Sequence, residues 1–131
     1  MVHEIRLAGP WEFSADGLDW TRCVLPLTSE VVSETNEILL RRKFHRPSGL
    51  TDITRVLIVV LGNSIPNSAQ VNGHGLTPAP DTAPGGVAYD LTEHLQDFNT
   101  FEVAVLQDAR SRAAIIESVK LRIVDDNSQS V

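Results

Sequence analysis

The sequence predicts an all-β fold, an antiparallel sandwich in a single domain. Three observations point there. Apolar residues recur with period two along a series of short segments. Gly, Pro, Asn and Asp stand between those segments, where turns are needed. Helical periodicity is confined to one short stretch near residue 92. The chain has 131 residues, enough for one core without covalent staples. The domain is expected over residues 1–125, with a polar tail at 126–131.

The first strand is read at Ile5–Ala8 and the second at Trp11–Ser14, where Trp11 and Phe13 share a phase and face the core. A turn-rich run, Asp16-Gly17-Leu18-Asp19, leads to Trp20, an aromatic at the core edge or open to a ligand. Arg22–Leu25 follows, with Cys23 expected as a buried, inert thiol. In Ile38–His45, Leu40, Arg42 and Phe44 alternate onto the inner face. Arg41, Lys43 and His45 take the outer, solvated face. An inward guanidinium needs an anionic partner.

Ile53–Leu61 is the most apolar strand, and Ser68–Val71 stops at Asn72-Gly73. That dipeptide marks a hairpin whose two central residues need positive φ. An extended loop, Leu76–Gly86, carries three prolines. Val87–Tyr89 is the next strand. Asp90–Leu95 is one helical turn, with Asp90 or Thr92 at its N-cap. Thr100–Gln107 and Ile115–Val124 complete the set. In the last of these Val119, Leu121 and Ile123 oppose Lys120 and Arg122, and the strand is read as an exposed edge blunted by those charges.

Composition excludes several functions. Net charge is −6 and pI about 5.1, which repels a phosphate backbone, so no nucleic acid is expected despite Arg41-Arg42-Lys43. No apolar run reaches membrane-spanning length. The single cysteine rules out an intrachain disulfide and a cysteine-pair zinc site. The opening residues, Met1 to Arg6, show no basic-then-apolar leader, so a cytoplasmic location is expected. Gly-x-Ser-x-Gly, a P-loop and His-Glu-x-x-His are all absent, and the glutamates are scattered. The chain therefore does not read as an enzyme. Asp16, Asp19, Asp81 and Asp90 lie at turns without forming a contiguous calcium loop. No cofactor is expected, and calcium is the one ion those oxygens suit.

Five segments, in order, carry a resemblance: "GPWEFSADG", "CVLPLT", "LLRRKFHRP", "VLIVVLGNSIPNSAQVNGHGL" and "VAYDLTEHLQDFNTFEVAVLQ". Together they resemble the N-terminal sugar-binding-type domain of family-two glycoside hydrolases, such as β-galactosidases and β-glucuronidases. The resemblance runs from about Ile5 to Val124. It implies a galactose-binding-like jelly roll. It also implies that catalytic carboxylates belong to a separate barrel, which needs about 200 residues or more. Asp90 of "YDLT" is implied as the partner of Arg42. Two departures stand out: Leu39-Leu40 replace an aromatic before the paired arginines, and Phe98 replaces a glycine before Asn99.

Two functions follow. One is a non-catalytic carbohydrate-binding module, binding weakly through loops at one end of the sandwich with Trp20, Arg41, His74, Asp81 and Tyr89. There an aromatic ring would cover a sugar face while Arg and Asp take its hydroxyls. The other is a structural or assembly domain that packs on a protein partner or on itself. An exposed Trp20 beside His74 and the 76–86 loop would favour the first. A buried indole would favour the second.

Overall fold

The computed structural model describes residues 2–27, 37–62, 66–79, 85–106 and 116–125. Among these, ten strands form two sheets. They are β1 (Val2–Arg6), β2 (Trp11–Ser14), β3 (Thr21–Cys23), β4 (Glu37–His45), β5 (Thr54–Leu61), β6 (Ser68–Val71), β7 (His74–Gly75), β8 (Gly86–Asp90), β9 (Phe98–Leu106) and β10 (Ser118–Asp125). One sheet runs β1-β10-β5-β8 and the other β3-β2-β4-β9-β6-β7. Every pairing in them is antiparallel. The expected antiparallel β-sandwich is present. Among the described residues no helix is long and apolar enough to cross a membrane.

Period-two alternation builds the core. Val56, Ile58 and Val60 of β5, Val87 and Tyr89 of β8, and Val119 and Leu121 of β10 face inward from the smaller sheet. Trp11, Ile38, Leu40, Phe44, Val71, Phe101, Val103 and Val105 meet them from the larger sheet. Trp11 is fully buried, and its indole N–H donates to the Leu7 carbonyl at 2.8 Å. Phe13 packs against the same cluster.

Asn72 and Gly73 have φ of 52° and 82°, and the turn pairs Val71 with His74. Asn72 does more than turn the chain. Its amide donates to His94 O and to Asn99 Oδ1, each at 2.9 Å, and its Oδ1 accepts the Thr100 N–H at 2.9 Å. Asn99 beneath it is buried and fully engaged. Its Oδ1 also accepts the Gln96 N–H at 2.8 Å, and its amide donates to Gln96 O at 2.9 Å and Phe44 O at 3.4 Å.

Several expectations need correction. β10 is not an edge: it lies between β1 and β5, and the exposed edge is β1. The first strand is Val2–Arg6, because the Leu7 and Ala8 carbonyls leave the ladder to accept from Trp11 and Arg42. The helical turn is a 3-10 turn, Thr92–His94, preceded by Leu91. Asp90 sits one residue too early to be its cap, yet its Oδ1 still accepts the Thr92 N–H at 2.9 Å. Gln107, Asp81, Ile115 and the tail at 126–131 lie outside the described residues.

Candidate functional site

Arg42 does not pair with Asp90. They stand on different sheets: Arg42 on β4 and Asp90 on β8. Arg42 Nε donates to Ala8 O at 2.6 Å and Nη1 to Lys43 O at 2.7 Å. Burial lowers its pKa, since a guanidinium among carbonyls is stripped of water without gaining a counter-charge. Asp90 pairs instead with Arg55, whose Nη2 lies 3.0 Å from Oδ2. Register explains the exchange: Asp90 opposes Leu57, which puts Arg55 diagonally beside it on the outer face.

The net pKa of Asp90 is lowered. Burial by itself raises it, but the Thr92 hydroxyl and N–H and the Arg55 guanidinium outweigh that. Stability from this carboxylate is therefore present above its unfolded pKa and lost as pH falls through the lower folded value. Asp90→Asn keeps the acceptor for Thr92 and removes the charge. Urea melts should show a cost below about 1 kcal/mol at neutral pH, discounted because the pair is well exposed. The difference should vanish once the pH has fallen through the lowered folded pKa of Asp90. A difference independent of pH would show that Asp90 acts through packing.

The sugar-site residues are dispersed. Tyr89 is 2% exposed, with its ring 6.3 Å from that of Phe101 in the core. Burial raises its pKa. Tyr89 is therefore no surface ligand, and its phase-mate Val87 in the sequence already pointed inward. His74 is exposed on β7 and stacks on His94, with ring centroids 4.4 Å apart and planes 15° apart. Trp20 precedes β3, at the opposite edge of that sheet from β7. It is not beside His74.

Trp20 and Arg41 do meet. The Arg41 guanidinium lies 3.8 Å from the indole centroid, a cation–π contact. Its Nε donates to Glu12 Oε1 at 3.0 Å. This pair belongs to a row across the outer face of the six-stranded sheet. Arg22 opposes Glu12, Glu12 opposes Arg41, Arg41 opposes Glu102, and Glu102 opposes Gln70. Gln70 Nε2 donates to Glu102 Oε2 at 2.9 Å. Two rows further along β4, His45 opposes Phe98, their ring centroids 4.8 Å apart. Phe98 is 72% exposed. The Arg41 and His45 rows are four residues of strand apart, about 13 Å, and Trp20 and Phe98 are further separated by the width of three strand pairings, β3 to β9.

Beside Arg41 the face opens into a groove of about 310 Å³ lined by Pro10, Glu12, Arg22, Arg41, Arg42 and Lys43. It forms because β2 begins only at Trp11 while β4 continues to His45. Pro10 has no N–H to continue the ladder.

Glu12, Arg22, Glu102, Gln70 and Phe98 were missed as site residues. Glu12 alternates out of phase with Trp11 and Phe13, which marks it as outward-facing. Phe98 was visible as a departure from the resemblance. Among the turn aspartates, Asp16 has a structural use: its Oδ1 accepts from Ser14 Oγ, Leu18 N and Asp19 N. Those hydrogen bonds, led by the Asp19 and Leu18 N–H groups, lower its pKa. Among the described residues no three His, Cys, Asp or Glu side chains gather as metal ligands. Cys23 is half-buried. Desolvation, with a smaller contribution from Glu12, pushes its pKa up to about 11, so its thiol stays protonated at neutral pH.

No protein-family model and no curated protein matches the chain. Solved structures do match. The FMN-binding β-glucuronidase of Faecalibacterium prausnitzii L2-6 superposes with a TM-score of 0.73 at 20% identity, over 95% of this chain and 23% of that one. The β-glucuronidase of Bifidobacterium dentium gives 0.71 at 15% identity, over 95% and 30%. A β-glycosidase of Bacteroides vulgatus gives 0.66 at 21% identity, over 94% and 20%. The chain thus spans less than a third of each of these glycosidases, and it has the fold of a small β-sandwich domain within them.

Proposed function

We propose that the chain is a non-catalytic carbohydrate-binding domain whose ligand lies across the outer face of the six-stranded sheet, not at the loops of one end. The observation that carries this is the Trp20–Arg41–Glu12 assembly beside its groove. Cation–π contact and ion pair hold an aromatic and two hydrogen-bonding groups in fixed positions before any ligand arrives, which reduces the ordering cost of binding. Phe98, exposed on the same sheet face, offers a second ring. Glu12 and Glu102 are already engaged as acceptors by Arg41 and Gln70, a setting for binding hydroxyls more than for proton transfer. That domains of this fold occur within glycosidases gives the same reading independent support.

The test is a melt of the chain in a panel of simple sugars and short oligosaccharides at about 100 mM. A site with a Kd of about 1 mM adds roughly 2.7 kcal/mol there, raising the midpoint by several degrees. Trp20→Ala and Phe98→Ala should each reduce the shift. A flat panel sinks the proposal. The assembly reading has its own observation in β1, an exposed edge with Val2 and Ile5 open to solvent at 58% and 38%. Concentration-dependent association with no sugar response would assign the domain to it.

A further inference from the structure

We infer that the groove beside Arg41 selects an acidic saccharide, placing its carboxylate or sulfate group among Arg22, Arg42 and Lys43. This rests on the carbohydrate-binding reading. Four cationic side chains and one carboxylate line the groove, in a chain whose net charge is −6. Glu12, that one carboxylate, is occupied by Arg41. Arg22, Arg42 and Lys43 make no salt bridge among the described residues. Three cations thus converge on one concavity without an anion to balance them.

Arg42 strengthens the case. It is partly desolvated, and its acceptors are two backbone carbonyls, Ala8 O and Lys43 O. Those occupy two of its five N–H donors. An oxyanion in the groove would supply the counter-charge this guanidinium lacks, through a charge-assisted hydrogen bond. The neighbouring Arg41–Trp20 stack would hold the sugar ring, and the acid group would set the orientation. A bare polyanion is disfavoured by the overall negative charge, so selection comes from the local cluster combined with the ring contact.

Isothermal titration with D-glucuronate, D-galacturonate, glucose 6-sulfate, D-glucose and D-galactose, at fixed ionic strength, tests this. Acetate and inorganic sulfate serve as ion controls. The acidic sugars should bind at least about tenfold more tightly than the neutral ones, and the tighter arm identifies the acid group. In Arg22→Gln/Lys43→Gln, both exposed positions, that ratio should fall towards one, whereas Trp20→Ala should weaken both classes. An unaltered melting midpoint in the double variant will show that the fold is kept. Equal affinity for acidic and neutral sugars overturns the inference and leaves the carbohydrate-binding reading standing. Binding of no sugar overturns both. Equal heats from acetate or sulfate overturn the inference, because the groove then holds an ion and not a sugar.

Discussion

Trp11→Ala is expected to lower the unfolding free energy by about 4 kcal/mol and the melting midpoint by roughly 15 °C. Trp11 is the largest side chain in the core and has no exposed surface. Its loss leaves a cavity in the core that the surrounding side chains, fixed on their strands, cannot fill. It also leaves the Leu7 carbonyl without its indole donor. Trp11→Phe separates the two effects. It retains most of the packing and strands only the carbonyl, at about 1–2 kcal/mol. Calorimetry of the two variants should therefore show a gap of at least about 2 kcal/mol. A loss below about 1 kcal/mol for the alanine variant would mean that the region around Trp11 repacks freely and is not a rigid part of the core.

Asn99→Leu should cost about 3 kcal/mol although it replaces a polar residue by an apolar one of similar size. At 2% exposure Asn99 has no water to substitute for its partners. Leucine would strand the Gln96 N–H and carbonyl and release the Asn72 amide. Each buried group left without a partner costs on the order of 1–3 kcal/mol. The damage should also reach the Asn72-Gly73 turn, because Asn72 links Asn99, His94 O and the Thr100 N–H. Hydrogen exchange should report faster amides at Gln96 and Thr100, together with a lower urea midpoint. Unchanged exchange at Thr100 would show that the turn stands without Asn99.

The sandwich was legible in the sequence because period two is a local property. The phase of Trp11 with Phe13, of Val119 with Leu121, and the demand of Asn72-Gly73 for positive φ can all be read within a few residues. The site was less legible because it is made by register between distant segments. Nothing near Arg42 announces that Ala8 O will take its N–H. Nothing near Asp90 announces that Arg55 stands diagonally across β5 and β8. The same limit hid the row from Arg22 to Gln70, whose members come from five strands. Trp20 meets Arg41 across the sheet and not His74, a partnership no local pattern announces.

The placement of β10 bears on how the chain acquires its structure. This strand pairs with β1 on one side and β5 on the other, and Val2 opposes Val124. During vectorial synthesis β1 is made before β10 and has no ladder to join until β10 has appeared. Until then the edge of β5, with Val56, Ile58 and Val60, is bare, and such an edge invites pairing between nascent chains. Closing a contact between sequence-distant strands is entropically slow. Both ladders, β1 to β10 and β10 to β5, can therefore close only once β10 has been made.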